Sequence, residues 1–135
     1  MEVCIRYVAE ISKLGEMMKW IHCVLECYNI DHSHKCKFEI AIEETLINII
    51  NHAYVNCSGN VEICYSDDGN LLSFKITDQG ISFNPLERIN KPNVSASIDE
   101  RVEGGLGIYF IHQMTDHIDY QRIGNSNILT LSKKI

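Results

Sequence analysis

A chain of 135 residues, 45% apolar and 22% charged, has ordinary globular composition and the length for one compact core. No apolar run approaches the ~20 residues that cross a bilayer, and the N-terminus lacks the charged-then-apolar pattern of a secretory leader, so a cytoplasmic protein with no membrane association is expected. The net charge of −6, with basic clusters only at Lys35/Lys37 and Lys133/Lys134, argues against direct nucleic-acid binding.

In chain order, Val3–Tyr7 alternates weakly and reads as an opening strand. Ile11–Tyr28 has helical apolar spacing through Leu14, Met17, Met18, Ile21, Val24 and Leu25, with Ser12 as the expected cap. Asn29–Ser33 is a connector, and a longer helix is expected over Lys35–Val55. Asn56–Asn60 is a turn cluster. Val61–Tyr65 and Leu71–Thr77 read as strands around Asp67-Asp68-Gly69-Asn70, a good hairpin signal.

Ser82–Glu103 has little periodicity and holds both prolines, Pro85 and Pro92. Structureless stretches this long inside a compact domain are usually functional lids or linkers. The piece beyond is too short to fold alone, which favours a lid. Gly104-Gly105-Leu106-Gly107 then opens a helix over Ile108–Thr115, and Ile118–Ile123 and Ile128–Ser132 close the chain as strands. This order predicts an α+β two-layer sandwich, a mixed β-sheet with helices on one face, built as a single domain over residues 1–135.

The six cysteines are Cys4, Cys23, Cys27, Cys36, Cys57 and Cys64. Without a leader, a disulfide framework is disfavoured. Cys23, Cys27, His32, His34 and Cys36 raise the question of zinc. Their spacing lacks the twice-repeated close pair of a structural site, so buried thiols and surface histidines are the expectation.

Three motifs carry possible chemistry. In Glu43–Tyr54, the residues Glu44, Asn48 and Asn51 fall at i, i+4 and i+7 on one stripe of a helix. Phe38, Ile42, Leu46, Ile49, Ile50 and Ala53 fill the other face. A carboxylate and amides beside that much apolar surface are costly unless they bind something, although alone the stripe also reads as a solvated helix face. An amide oxygen there suits Mg²⁺, a hard cation with oxygen ligands. The second motif, Asp78-Gln79-Gly80, sets a carboxylate at a strand end, where it can accept from an exocyclic amine, and Gly80 would let backbone approach a flat ring. The same residues also make plain turns. The third is Gly104-Gly105-Leu106-Gly107 at a helix start, where bare N–H groups and the helix dipole favour an anion. No Gly-Lys-Ser/Thr follows, so it is not a Walker A loop.

Taken in order, helical Glu-x-x-x-Asn, strand-end Asp-x-Gly, lid and Gly-x-Gly resemble the GHKL ATPases, most closely the bacterial anti-sigma-factor serine kinases. Glu44–Tyr54 resembles the N-box of that family, Asp78–Pro85 its adenine-binding box, and Gly104–Tyr109 its glycine box at the end of the lid. The resemblance covers nearly the whole chain. It implies ATP and Mg²⁺ as cofactors, with Asn48 on the metal and Glu44 as the catalytic carboxylate activating an attacking hydroxyl. Asp78 would accept from the adenine amino group, Gly80 would line the ring, and Gly105, Leu106 and Gly107 would wrap the phosphates. His52 would stand on the helix wall of the pocket. The chain departs from the family in two places. Glu103 is adjacent to the glycines and the nearest Arg is Arg101, where many relatives have an Arg close by. Either Asn127 or Thr130 takes the place of the Thr that relatives put beside adenine.

The resemblance further implies a homodimer that phosphorylates a serine on a small antagonist protein and holds a sigma factor or similar regulator inactive. The rival reading is a non-catalytic, ATP-sensing, partner-binding module, against which Glu44 argues. A detached histidine-kinase domain is a third, disfavoured because the chain has no room for a helix bearing a phospho-accepting His.

Overall fold

The computed structural model of the protein describes residues 1–84 and 111–135. Chain order gives β1 (Val3–Val8), α1 (Ile11–Glu26), α2 (His32–His52), β2 (Asn60–Asp67), β3 (Leu71–Asp78), β4 (His117–Ile123) and β5 (Ser126–Lys134). Residues 111–113 are helical as well. The predicted lid beyond Asn84, with Gly105, Leu106 and Gly107, lies outside the described residues.

The five strands form one sheet in the order β1-β2-β3-β5-β4. A mixed sheet was expected, but every pairing among the described residues is antiparallel. The connections explain this. β2–β3 and β4–β5 are hairpins, and two helices rather than one separate β1 from β2, so the chain re-enters the sheet in the opposite sense. In the β2–β3 turn Gly69 has φ 91°, and the Asp68 carboxylate accepts from the N–H groups of Asn70 and Leu71, both at 2.8 Å. Those bonds hold the Asp68 carboxyl below the usual range.

Both helices cover one face of the sheet, giving the expected α+β two-layer sandwich. α1 contributes Met17, Ile21, Val24 and Leu25 to the core, and α2 contributes Phe38, Ile42, Leu46 and Ile49. Val61, Ile63, Leu72, Phe74, Ile76, Leu129 and Leu131 meet them from alternate strand positions. Phe38 and Phe74, both fully buried, pack edge to face with ring centroids 5.8 Å apart. Burying each such ring is worth roughly 1.5–3 kcal/mol.

Local signals misplaced some boundaries. Glu10, not Ser12, is the N-cap of α1, and its side chain makes no capping bond. α2 begins at His32, ahead of the expected Lys35, with Asp31 in the cap position. It stops short of Val55 because Asn56 takes φ 57° and because the Ala53 carbonyl accepts from the Ile81 N–H at 2.9 Å, outside the helix.

Cysteine behaviour also differs from expectation. Cys4 and Cys64 stand opposite each other on β1 and β2 and form a disulfide. Cross-strand register, invisible in linear spacing, brings them together. Cys23, Cys27 and Cys57 are exposed and Cys36 is half-buried, so none of the four free thiols is the buried thiol expected. Among the described residues, the only close group of potential metal ligands is Glu2, Cys4 and Cys64, and its sulfurs are spent in the disulfide. Cys23, Cys27, His32, His34 and Cys36 do not converge as a zinc site. Among the described residues, no helix is long and apolar enough to cross a membrane.

Candidate functional site

A pocket lies between α2 and the ends of β3, β4 and β5. About 480 Å³ of non-atom space lies within it, part of which is open solvent. Thr45, Asn48, Ile49, His52 and Ala53 form its helix wall. Asp78, Ile81, Phe83, Ile111, Tyr120, Asn127 and Leu129 complete it. The lining is mostly apolar, with a few polar groups converging on it.

Helical periodicity decides which polar residues enter. Thr45, Asn48, Ile49 and His52 share the stripe that faces the pocket. Thr45 is buried, with its hydroxyl donating to the Ala41 carbonyl at 2.9 Å, so it fills space without offering a free donor. Asn48 is half-buried, and its amide has no partner among the described residues. His52 is exposed at the pocket edge. Asn51 is exposed and is not among the residues that line the pocket.

Glu44 stands one turn before Asn48, half-buried and outside the pocket lining. Burial, and next the charge of Glu43, raise its carboxyl above the usual carboxylate value. A carboxyl shifted this way holds a proton more readily than a solvated one.

Asp78 ends β3 and is 4% exposed. Its Oδ1 accepts from the Gly80 N–H at 2.8 Å and the Asn127 side-chain amide at 2.9 Å. Its Oδ2 has no partner among the described residues. A buried carboxylate oxygen left unpaired beside an apolar pocket is costly, and an amine donor on a ligand would satisfy it.

Gly80 does not line the pocket. Its bare Cα faces α2 instead, where a Cβ would lie 2.3 Å from the Ala53 carbonyl oxygen. A packing reason for a glycine here thus stands beside the expected one, close approach to a ring. The same contact zone includes Tyr54, whose hydroxyl accepts from the Gln79 N–H at 2.9 Å and donates to the Asn60 carbonyl.

Of the two positions near the last strand, Asn127 is in the pocket and Thr130 is not. Thr130 lies opposite Lys75 and Asp119, on the sheet face away from the helices. Sequence reading missed Tyr120 and Arg122, and it placed Ile81 and Phe83 only within the Asp78–Pro85 box without assigning them to the pocket wall. The signal for Tyr120 and Arg122 was their alternation along β4, which sets both on the helix-facing side with Ile118.

Comparison with known proteins bears on the family of the chain. Residues 7–133 match the Histidine kinase-like ATPase domain. An 83-residue stretch is 36% identical to a Serine-protein kinase RsbW of Bacillus thuringiensis (strain Al Hakam), covering 59% of this chain and 52% of the relative. The corresponding figure for the RsbW of Bacillus cereus (strain AH820) is 32%, over the same shares of both chains. The matched stretch thus spans about half the length of these relatives. With the family match running through nearly every described element, the chain belongs to the histidine kinase-like ATPase domain family.

Proposed function

We propose that this protein binds ATP in the pocket between α2 and the strand ends and acts as a serine protein kinase of the anti-sigma type. It would transfer a phosphoryl group to a serine of a small antagonist protein and sequester a sigma factor or similar regulator, as a cytoplasmic homodimer. The observation that carries the reading is that buried Asp78 lines an apolar pocket with its Oδ2 unpartnered among the described residues, which suits the 6-amino group of adenine between apolar walls. The name of the Bacillus relatives, serine-protein kinase, supports the choice of reaction.

In this reading Asp78 accepts from the adenine amine while Ile81, Phe83, Ile111 and Leu129 exclude water from the base. Asn48, whose amide has no partner among the described residues, fits Mg²⁺, an ion that would neutralise charge on the phosphates. Glu44 takes the proton from the attacking serine hydroxyl, and its raised pKa brings it nearer the working pH of a general base. Gly105, Leu106 and Gly107 are assigned to the phosphates from their sequence pattern, and His52 to the pocket edge. No role in nucleic-acid or membrane binding is proposed.

A second reading, an ATP-sensing module that binds partners without catalysis, draws on one observation: Glu44 stands outside the lining of the pocket. Incubation with Mg²⁺, γ-labelled ATP and extract of the source cell separates the two. The kinase reading predicts phosphoserine on a small protein with wild type and none with Glu44→Gln. ATP binding without any Glu44-dependent phosphoserine would leave the sensing module.

A further inference from the structure

Asn127 is 6% exposed and carries more polar contacts than any other side chain lining the pocket among the described residues. Its Nδ2 donates to Asp78 Oδ1 at 2.9 Å and to the Ile81 carbonyl at 2.7 Å. Its Oδ1 accepts from the Tyr120 hydroxyl at 2.6 Å, Arg122 at 3.1 Å and, more weakly, the Phe83 N–H at 3.4 Å. Arg122 also donates to the Gly80 carbonyl at 2.8 Å.

These partners fix which way the amide faces. Guanidinium and backbone N–H groups only donate, whereas a carboxylate and a carbonyl only accept. A flipped amide would oppose both groups of partners. Both amide hydrogens are spent, so Asn127 has no donor left for a ligand. It can act only through what it holds: one oxygen of Asp78, and the backbone of residues 80–83 that forms one pocket wall.

We propose that Asn127, held by Tyr120 and Arg122, is a positioning residue that determines base specificity by turning Oδ2 of Asp78, the oxygen without a partner among the described residues, into the pocket. Adenine presents a 6-amino donor to that oxygen and is accepted. Guanine presents a carbonyl oxygen at the same position and is rejected, because two acceptors face each other without a proton between them. The inference rests on the nucleotide reading above and deepens it by naming what sets the choice of base.

The test is equilibrium binding of ATP, GTP and purine riboside triphosphate, which lacks the 6-amino group, to wild type, Asn127→Ala, Tyr120→Phe and Asp78→Asn. Wild type is expected to prefer ATP over both others. Asn127→Ala is expected to lose about tenfold on ATP, the scale of one well-placed hydrogen bond, and less than about twofold on the purine analogue. Added to Asp78→Asn, it is expected to weaken ATP little further, because the two act as a unit. Tyr120→Phe keeps the ring and removes one donor, and is expected to cost about threefold on ATP alone. It carries the test should Asn127→Ala fail to fold by circular dichroism. Equal losses on ATP and the analogue, or unchanged ATP affinity in folded variants, would overturn the inference while leaving the nucleotide site standing. No ATP binding by wild type would overturn both.

Discussion

Gly80 and Ala53 meet so closely that a Cβ on Gly80 would lie 2.3 Å from the Ala53 carbonyl oxygen. The neighbouring Ile81 N–H bonds that same oxygen at 2.9 Å. One glycine therefore joins the C-terminal end of α2 to the loop after β3, and the two walls of the pocket are set against each other through it.

Gly80→Ala should accordingly force this seam apart. Overpacking of a tight contact costs about 1–3 kcal/mol, and the shift should also draw Asp78 out of line. Urea unfolding is expected to show that loss, with weaker ATP binding in the folded variant. Wild-type stability and affinity would mean that the seam yields without consequence.

How far the sequence made this site legible depends on the kind of signal. Asn48, His52 and Asp78 were readable because helical spacing and strand-end position are local properties, and each lines the pocket. Of the stripe Glu44, Asn48 and Asn51, only Asn48 lines the pocket, since a stripe drawn at i, i+4 and i+7 drifts from the one that faces it. The Cys4–Cys64 bond and the Asn127 network join residues 60 and 49 positions apart. They depend on strand register, which linear spacing does not encode. Close backbone approach was the reason for singling out Gly80, and among the described residues the end of α2 makes such an approach.

Glu44 supplies a pH-dependent prediction. Its folded carboxyl is raised by burial and by Glu43, so the fold prefers the neutral acid. That preference is fully present below the ordinary value of 4.5 and is lost as pH rises through the folded value. Glu44→Gln, neutral at every pH, should melt higher than wild type at pH 7, and the difference should close below pH 4.5. Thermal melts at the two pH values measure this. A variant less stable than wild type at pH 7 would show that the carboxylate is stabilised by its surroundings.

The Cys4–Cys64 disulfide closes a loop over a sequence separation of 60 on the sheet face away from the helices. Chain-entropy arguments give about 2–4 kcal/mol for such a link. Adding a reductant, or replacing both cysteines with serine, should lower the guanidinium midpoint accordingly and leave ATP affinity unchanged. An unchanged midpoint would indicate that the bond contributes nothing to stability. Altered ATP affinity would indicate that the sheet couples its two faces.

The central claim is that a buried carboxylate in this pocket recognises an adenine nucleotide. Calorimetric titration of ATP, with and without Mg²⁺, into wild type, Asp78→Asn, Asn48→Ala and Glu44→Ala tests it most directly. The account predicts Mg²⁺-dependent binding that is lost or strongly weakened by Asp78→Asn and Asn48→Ala and retained by Glu44→Ala. No binding by wild type up to about 1 mM ATP, where the binding free energy is only about −4 kcal/mol, or full affinity in Asp78→Asn, would contradict it.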